Sequence, residues 1–327
     1  MPNLQIEAST RGRAPEFVTV GDYYNRHRRD LRLRLVGDEC GFERPIREPT
    51  INRPGLALAG FYSYFAVNRM QVIGKAERSY LKSLSLEDRR KRFSDFCRRN
   101  IPCIIVSRGS TLPEELLEIA SKAKISVFRT SMVTMNFINA ATIFLSWDFA
   151  PVASVHACMV DVMGIGILIR GASGTGKSEC VLSLLRRGSS LVADDTVVLR
   201  SIEGRELIGT ARELGRAHME VRGLGIINVG ALFGVGSVRL EKRLDLVVTL
   251  RTAESMNDVE RVGMEHKNCV ILGQKVPHVE LPVAPGRDIA QLIEVAALDQ
   301  KLRSFGYNSA VEFNKKLLKM MRRRRIN

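Results

Sequence analysis

The chain has 327 residues, of which 45% are hydrophobic and 26% charged, and its formal net charge is +15. This length suggests two domains, each large enough to bury its own core, and the composition is typical of a soluble globular protein rather than of a disordered one. The basic residues are spread evenly, with 24 Lys and Arg against 16 Asp and Glu in residues 1–148, and 26 against 19 in residues 149–327. Neither half is therefore a basic module, and nucleic-acid binding is disfavoured.

The N-terminal residues and the cysteines predict the location and the redox state of the chain. Met1–Arg13 is polar and lacks the apolar core of a signal peptide, and no apolar run is as long as a membrane span. We therefore expect a cytoplasmic protein without membrane contact. The six cysteines form no C-x-x-C pair, which favours reduced, buried thiols over a zinc site or a disulfide framework. Arg322–Arg325 is the one basic run, expected as a solvated tail beyond the last helix.

Three regions are predicted along the chain. Residues 1–16 are predicted to be a flexible polar tail, residues 17–148 a small N-terminal α/β domain, and residues 149–327 a catalytic domain. Asp148–Pro151 interrupts the pattern and is the predicted linker.

Apolar patterns place the main elements. Cys103–Val106 and Ser126–Phe128 are predicted strands on either side of a helix that Thr111 would cap, and this order indicates an α/β domain. In the second half, Val160–Arg170 is predicted as a strand. Two helices are predicted to close the chain, with apolar faces that belong to a core or an interface. The face of the last helix comprises Ala310, Phe313, Leu317 and Met321.

A glycine-rich loop between a predicted strand and a predicted helix carries the strongest signal. It fits the pattern G-x-x-x-x-G-K-[ST] of a phosphate-binding P-loop. Its residues are Gly171, Ala172, Ser173, Gly174, Thr175, Gly176, Lys177 and Ser178.

The residue types of this loop suit phosphate chemistry. Glycines let successive backbone N–H groups point at phosphate oxygens, and the start of the helix adds positive potential. Lys177 can reach the outer phosphates, and the Ser178 hydroxyl can bind Mg²⁺. The alternative is a glycine-rich turn that happens to precede a helix.

Two adjacent carboxylates follow only 17 residues after the P-loop lysine. Asp194 and Asp195 end the predicted strand Ser190–Ala193, and this short return places both beside the loop. A carboxylate there can accept a proton from an attacking hydroxyl, so one of the pair is a candidate general base. Alternatively, both are turn residues that end a strand.

A second glycine-rich segment, His218–Asn228, is predicted as a strand. Glu220 and Arg222 would point the same way in it, and Gly223 and Gly225 would let the backbone approach a ligand or a partner. By composition alone the segment is equally consistent with a purely structural role. His156, by the same standard, is more often a core or surface histidine than a catalyst.

Taken together, these segments resemble the bacterial HPr kinase/phosphorylase family in order and approximate spacing. The resemblance also covers Arg44–Tyr62 and Ile104–Gly109 in the first half. In the second half it rests on His156 with Asp161, Gly171–Glu179, Leu191–Asp195, Met219–Asn228, Asp258–Arg261 and Pro282–Asp288.

The resemblance implies a bifunctional enzyme. Such an enzyme phosphorylates a serine of the phosphocarrier HPr, or of a paralogue, with ATP or pyrophosphate, and in reverse transfers the phosphoryl group to inorganic phosphate. It also implies a hexamer and a C-terminal domain related in fold to phosphoenolpyruvate carboxykinase.

The resemblance assigns roles to individual residues. Lys177 contacts phosphate, Ser178 and Glu220 bind Mg²⁺, and His156 and Arg261 complete the active site. Asp195 accepts the serine proton in the kinase direction and returns it in phosphorolysis.

The segment Pro282–Asp288 carries a further role and one departure from the family pattern. Arg287 matters in the family chiefly for dephosphorylation, and Asp288 stands where the family commonly has Asn.

Two other functions stay open at the level of sequence. One is a P-loop kinase of a small metabolite, and the other is a nucleotide-sensing regulator that binds nucleic acid through its basic surface. Labelling of a small molecule would favour the first, and ATP binding without turnover would favour the second.

Overall fold

The structure is a computed structural model that describes residues 4–5, 12, 14–252, 267–284 and 286–324. Arg261, a predicted catalytic residue, and Asp258 and Glu260 of the same family segment lie outside the described residues. The chain divides into two compact units. Residues 14–150 form the N-terminal unit, and residues from 151 onward form the C-terminal unit, to which the described part of residues 1–13 also belongs. The predicted domain boundaries stay a prediction.

The described elements alternate between short strands and helices. Up to residue 150 they are β1 (Leu4–Gln5), β2 (Val18–Thr19), α1 (Val20–His27), β3 (Leu33–Val36), β4 (Pro45–Ile46), β5 (Ile51–Asn52), α2 (Gly55–Leu58), β6 (Met70–Ile73), α3 (Lys75–Ser83), α4 (Leu86–Cys97), β7 (Cys103–Val106), α5 (Glu114–Lys122), β8 (Ser126–Thr130) and α6 (Thr134–Asp148).

The C-terminal unit contains more strands than helices. Its elements are β9 (Val152–His156), β10 (Cys158–Val162), β11 (Ile165–Gly171), α7 (Lys177–Arg186), β12 (Ser190–Ala193), β13 (Thr196–Ile202), β14 (Glu206–Ala211), β15 (His218–Val221), β16 (Gly225–Asn228), α8 (Val229–Phe233), β17 (Glu241–Arg243), β18 (Leu246–Thr252), β19 (Lys267–Ile271), β20 (Gln274–Val283), α9 (Ile289–Ser304) and α10 (Ser309–Arg324).

The N-terminal unit is a sheet with helices on both faces. The strand order is β3-β8-β7-β6-β5, with β5 to β8 parallel and β3 antiparallel at the edge. Alternate residues of β7 face opposite layers, so that Ile104 packs with α2 to α5 and Ile105 with α1 and α6. This arrangement confirms the predicted small α/β domain.

Two local predictions for this unit are wrong. The helix predicted to begin after Thr111 begins at Glu114, with Pro113 at its N-cap and no side-chain cap bond. The fixed φ of proline suits that boundary without a capping side chain. Asp148, predicted to begin the linker, ends α6 instead, and its buried carboxylate bonds to Arg26 and His27.

The C-terminal unit is built on a seven-stranded sheet in the order β1-β19-β20-β18-β11-β10-β12. Leu4 and Gln5, placed by the sequence in a flexible tail, pair with β19 at its edge. Helices α7 and α9 cover one face of the sheet, and a second sheet, β17-β14-β13-β9, covers the other. Along β11, Ile167 and Ile169 face the helices and Leu168 faces the second sheet. Each such buried side chain contributes about 1.5–3 kcal/mol, so β11 is firmly anchored.

The prediction of a single strand over Val160–Arg170 is wrong, and the structure of this stretch is different. It is an antiparallel hairpin of β10 and β11 in which Met163 and Gly164 both have positive φ, at 52° and 89°. Two residues in that region form the tight turn that joins antiparallel strands. The apolar residues on either side hide the turn, because both strands are buried.

Helix α10 narrows one expectation and contradicts another. Its apolar face does not belong to the core of the chain as described, since Phe313 and Met321 are 65% and 58% exposed, and a role in an interface stays a prediction. The helix also extends to Arg324, so the basic run does not lie beyond the last helix. Among the described residues, no helix has the length and apolarity needed to cross a membrane.

Candidate active site

The P-loop joins the end of β11 to the start of α7, as the sequence predicts. Gly174 and Gly176 have φ of 85° and 81°, a backbone conformation that favours glycine. Gly171 has no room for a side chain, because a Cβ there would lie 2.5 Å from Oγ1 of Thr175 and 3.0 Å from the carbonyl oxygen of Leu250. The loop therefore needs glycine at these three positions.

The lysine ammonium is held over the loop. Nζ of Lys177 donates to the carbonyl oxygens of Gly171 and Ala172, at 2.9 and 3.1 Å. The hydroxyl of Thr175 donates a hydrogen bond of 2.9 Å to the same carbonyl oxygen of Ala172 and stabilises the loop. Ser178 lies in the first turn of α7, whose N-terminus carries positive potential. This geometry suits a bound phosphate.

The sheet topology collects the other residues at the same edge. Strand β18 runs parallel to β11, with Leu250 opposite Gly171. Strand β10 is antiparallel to both β11 and β12, so β12 ends at the edge where the P-loop begins. The edge therefore carries the P-loop, the start of β10 and the acidic pair after Ala193.

Asp194 and Asp195 have separate partners at this edge. The Asp194 carboxylate accepts hydrogen bonds from Sγ of Cys158, at 2.9 Å, and from the amide of Glu220, at 3.1 Å. Oδ1 of Asp195 lies 3.0 Å from Nδ1 of His156, and both side chains are exposed. The structure thus brings together His156, Asp195 and Asp194, and it leaves Asp195 open to a substrate.

The segment predicted as one glycine-rich strand is a hairpin of β15 and β16. Gly223 and Gly225 have φ of 85° and 84°, which a continuous strand does not tolerate, and Arg222 lies in the turn. Met219 of this hairpin is buried in the core, whereas Glu220, one residue later, is exposed. Because its amide is bonded to Asp194, Glu220 is fixed beside the acidic pair.

The family residue Asp161 lies elsewhere. Its partner in the sheet is Gly166, five residues before Gly171 along β11, or about 16 Å at about 3.3 Å per residue. It accepts a hydrogen bond from the amide of Gly164 and pairs with Lys242. Asp161 therefore stabilises the far end of the hairpin and does not face the P-loop.

Arg287 is exposed and lies two residues before the first residue of α9. The next residue, Asp288, caps that helix by accepting a hydrogen bond from the amide of Gln291, and it pairs with Arg187. The bond from Gln291 is the main reason that the pKa of Asp288 lies below its usual value, and Arg187 adds to this effect. The acid that departs from the family pattern thus has a structural role of its own.

Cys158 is a residue that sequence reasoning missed. Burial raises its pKa, Asp194 raises it further, and Lys177 opposes this effect. The thiol therefore stays protonated and can donate to Asp194, within electrostatic range of the P-loop ammonium. Its place at the site follows from its pairing with Ile169, near the end of β11. That pairing cannot be predicted until the hairpin of β10 and β11 is known.

This combination of a P-loop, a parallel sheet edge and an exposed carboxylate beside the loop defines a phosphoryl-transfer class of α/β protein. Comparison with known proteins gives the family. Residues 147–317 match the family model described as HPr Serine kinase C-terminal domain, and residues 18–145 match HPr Serine kinase N terminus. The chain therefore belongs to the HPr serine kinase family.

Similar proteins cover most of the chain. A protein of Exiguobacterium named HPr kinase/phosphorylase is 42% identical over 88% of this chain and 92% of its own length. One of the same name from Leptospira biflexa is 44% identical over 88% and 90%. A solved HPr(Ser) kinase/phosphatase from Coxiella burnetii is 33% identical, with a TM-score of 0.45 over 49% of this chain and 97% of that one. The names of the Exiguobacterium and Leptospira proteins support an enzyme of the kinase/phosphorylase type.

Proposed function

We propose that the chain transfers a phosphoryl group from ATP or pyrophosphate to a serine of HPr or a paralogue. In the reverse direction, it transfers the group from phosphoseryl-HPr to inorganic phosphate and forms pyrophosphate. The observation that carries this proposal is the exposed pair of Asp195 and His156 at the sheet edge that holds the P-loop. Family membership and the names of the relatives support it.

In the kinase direction, the serine oxygen attacks the terminal phosphorus of the donor, and the bond to the leaving phosphate breaks. Asp195 accepts the serine proton. His156 orients that carboxylate through the 3.0 Å contact at Nδ1. Lys177 and the loop amides stabilise the negative charge on the transferred group, which is the main requirement of phosphoryl transfer.

In the reverse direction, the same groups act in the opposite order. A phosphate oxygen attacks the phosphorus of phosphoserine, and protonated Asp195 donates its proton to the departing serine oxygen. Arg287, exposed before α9, suits the incoming phosphate because a guanidinium presents a fork of donors. Arg261 stays a predicted catalytic residue outside the described part of the chain.

The residues at the edge fit a magnesium ion. Among the described residues, no cluster of three or more His, Cys, Asp or Glu side chains could hold a metal by itself. Mg²⁺ usually takes only one or two carboxylates, together with phosphate oxygens, so the Ser178 hydroxyl and the Glu220 carboxylate are sufficient protein ligands. A bound ion would neutralise phosphate charge.

The proposal also concerns the oligomeric state, the location and the fold relationship of the enzyme. The resemblance to the family supports a hexamer in the cytoplasm and a C-terminal fold related to phosphoenolpyruvate carboxykinase, and each of these stays a prediction. No feature of the described residues favours a small-metabolite kinase or a nucleic-acid-binding regulator.

The test is a pair of reactions with purified protein. With γ-labelled ATP and HPr, we expect label on a serine of HPr, and HPr with that serine replaced by alanine should stay unlabelled. With phosphoseryl-HPr and phosphate, we expect pyrophosphate. Label on a small molecule from a cell extract, with none on HPr, would contradict the proposal.

A further inference from the structure

Cys158 contacts the acidic pair but has no part in the proposed reaction. It lies at the start of β10, is 1% exposed, and its thiol donates to Oδ1 of Asp194 at 2.9 Å. Oδ2 of the same carboxylate accepts a hydrogen bond from the amide of Glu220 at 3.1 Å. The proposed function makes Glu220 a ligand of Mg²⁺. On that basis, we propose that Cys158 is a positioning residue for the reaction, because its thiol orients Asp194 and Asp194 in turn holds Glu220 for the ion.

A bulge in β12 places Asp194 on the same face of the sheet as Cys158. The register of β12 against β10 shifts by one residue, which leaves Val192 as an extra residue. Leu191 faces the helices, whereas Val192 and Ala193 both face the second sheet. Side chains otherwise alternate along a strand, so an extra residue changes the direction of those that follow it. Asp194 thus returns to the helix side, where Cys158 lies.

The hydrogen bond from its amide fixes Glu220 at the edge of the sheet. Met219, one residue earlier, is buried in the same core as Cys158 and anchors β15. The Glu220 side chain is exposed, so its carboxylate is available to an ion while its backbone is held by Asp194. Removing a partner that holds a metal ligand typically changes metal affinity about 10–100-fold. The thiol of Cys158 lies one hydrogen bond further from the ion, so we expect a smaller effect from it.

The other carboxylate of the pair is held by different contacts. The amide of Ala157 donates to the carbonyl oxygen of Asp195 at 3.1 Å, and this backbone bond does not involve the side chain of Cys158. The Asp195 carboxylate itself contacts His156. Loss of the Cys158 thiol should therefore disturb Glu220 and leave the general base in place.

The role of Cys158 depends on its ability to donate a hydrogen bond. Asp194 is half-buried, and its Oδ1 accepts a hydrogen bond from Cys158 alone among the residues that the structure describes. Replacing Cys158 by alanine or valine leaves that oxygen without its donor, which is unfavourable in buried surroundings, whereas a serine hydroxyl can still donate. Cys180 is a matched control, because it is buried in the same core but its thiol donates no hydrogen bond to a described residue.

The test measures the affinity of the full chain for a non-hydrolysable ATP analogue by titration calorimetry, with saturating Mg²⁺ and with EDTA. We expect Cys158→Ala and Cys158→Val to weaken binding with Mg²⁺ about three- to tenfold, the equivalent of one hydrogen bond. Binding in EDTA should be unchanged, because the P-loop is intact. Cys158→Ser should stay within about twofold of the unmodified protein, since it keeps a donor, and Cys180→Ala should change neither affinity.

Two further measurements separate positioning from catalysis and from general packing. Deuterium exchange of the peptide that contains Glu220, measured without metal or nucleotide, should be faster in Cys158→Val and unchanged in Cys180→Ala. The kcat for HPr labelling at saturating Mg²⁺ should stay within about threefold in Cys158→Val, far from the loss expected for a general base.

Three results would overturn the role of Cys158: full retention of the gain from Mg²⁺ in Cys158→Val, equal losses in Cys158→Ser and Cys158→Val, or equal losses in Cys180→Ala and Cys158→Ala. The first result, combined with loss of the gain in Glu220→Gln, would leave the proposed function intact. No gain from Mg²⁺ in the unmodified protein would contradict both. Circular dichroism verifies that each variant is folded, and if Cys158→Ala does not fold, Cys158→Val and Cys158→Ser still decide.

Discussion

Asp194 and Asp195 are consecutive in the sequence, but their carboxylates have different partners and different exposure in the structure. The Asp194 carboxylate accepts hydrogen bonds from Cys158 and from the amide of Glu220, whereas the Asp195 side chain is 71% exposed and its carboxylate contacts the exposed His156. Asp195 also has a φ of 61°, a strained backbone conformation of the kind found at functional sites. A general base must reach its substrate, so Asp195 rather than Asp194 is expected to move the proton.

The first prediction is that Asp195→Asn lowers both activities. Asparagine keeps the size of the side chain but can neither accept nor donate the proton, so both rates should fall about 10²–10⁴-fold. ATP affinity should survive, because the P-loop is unchanged. The measurements are initial rates of HPr labelling and of pyrophosphate release, with ATP affinity measured alongside.

Glu203→Gln is the matched control. Glu203 is also an exposed acid with positive φ, at 49°, but it lies in the turn between β13 and β14. It should leave both rates unchanged. If Asp195→Asn keeps either rate within about threefold of the unmodified enzyme, well below the range of a general base, then Asp194 or His156 is the better candidate.

The second prediction concerns the P-loop lysine. Lys177→Ala should abolish phosphorylation with either donor, because both place a terminal phosphate on this loop, and the loss should be about hundredfold or more in rate. Lys275→Ala, which removes an exposed lysine in the hairpin of β19 and β20, is the control. Near-normal turnover in Lys177→Ala would remove the loop from the mechanism.

Much of the site could be predicted because its chemistry is local in sequence. The P-loop needs a strand, glycines, Lys177 and a helix in one stretch, and the sequence displays all of them. The short return to Asp195 likewise predicts proximity. The partners of these residues could not be predicted, because the contact of His156 with Asp195 depends on the pairing of β9 with β13.

Turns inside apolar stretches were the main source of error. The hairpin of β10 and β11 looks like one strand, because both its strands are buried and Met163 gives no turn signal. The sequence predicts that Gly223 and Gly225 permit a close approach of the backbone, whereas their positive φ makes a turn. In both cases, tertiary packing decides between a strand and a hairpin, and composition does not.

The third prediction concerns phosphorolysis. Arg287→Ala should lower phosphate-dependent release of pyrophosphate more than it lowers kinase activity, because a guanidinium suits the incoming phosphate. Arg187→Ala is the control, since Arg187 pairs with Asp288 and Glu294 instead, and it should change the ratio of the two rates little. Equal loss of both activities in Arg287→Ala would make that residue part of the general scaffold.

The fourth prediction concerns the thiols. Cys40 is exposed, and the other five cysteines are buried and free. Burial raises the pKa of Cys97 and Cys180 to about 12, so these thiols are both hidden and protonated. An aromatic disulfide reagent at pH 8 should therefore titrate one thiol quickly in the native protein and six in denaturant. Cys40→Ser should remove the fast reaction, and any fast thiol in that variant would contradict the described packing.

The last prediction concerns the pH dependence of stability, through His278. Burial lowers the pKa of this histidine, and the nearby cations Arg170, Arg251 and Lys267 oppose the raising effect of Glu280. His278 therefore binds a proton less readily in the folded protein than in the unfolded chain, where its pKa has the ordinary value of about 6.5. The sign follows from linkage: this stability is fully present above about pH 7, and it is lost as the pH decreases from about 6.5 toward the lower folded pKa.

The measurement is the free energy of urea unfolding between pH 8 and pH 5. Nε2 of His278 is 2.8 Å from the hydroxyl of Thr249, while Nδ1 is buried and has no hydrogen-bond partner among the described residues. His278→Gln should lower stability at every pH. It should also make the unfolding free energy depend less on pH below pH 6.5, by the equivalent of at most one bound proton. His218→Gln, at an exposed histidine, should leave the slope unchanged. If His278→Gln has the same slope as the unmodified protein, His278 is protonated as easily in the folded state as in the unfolded one, and its burial does not limit acid stability.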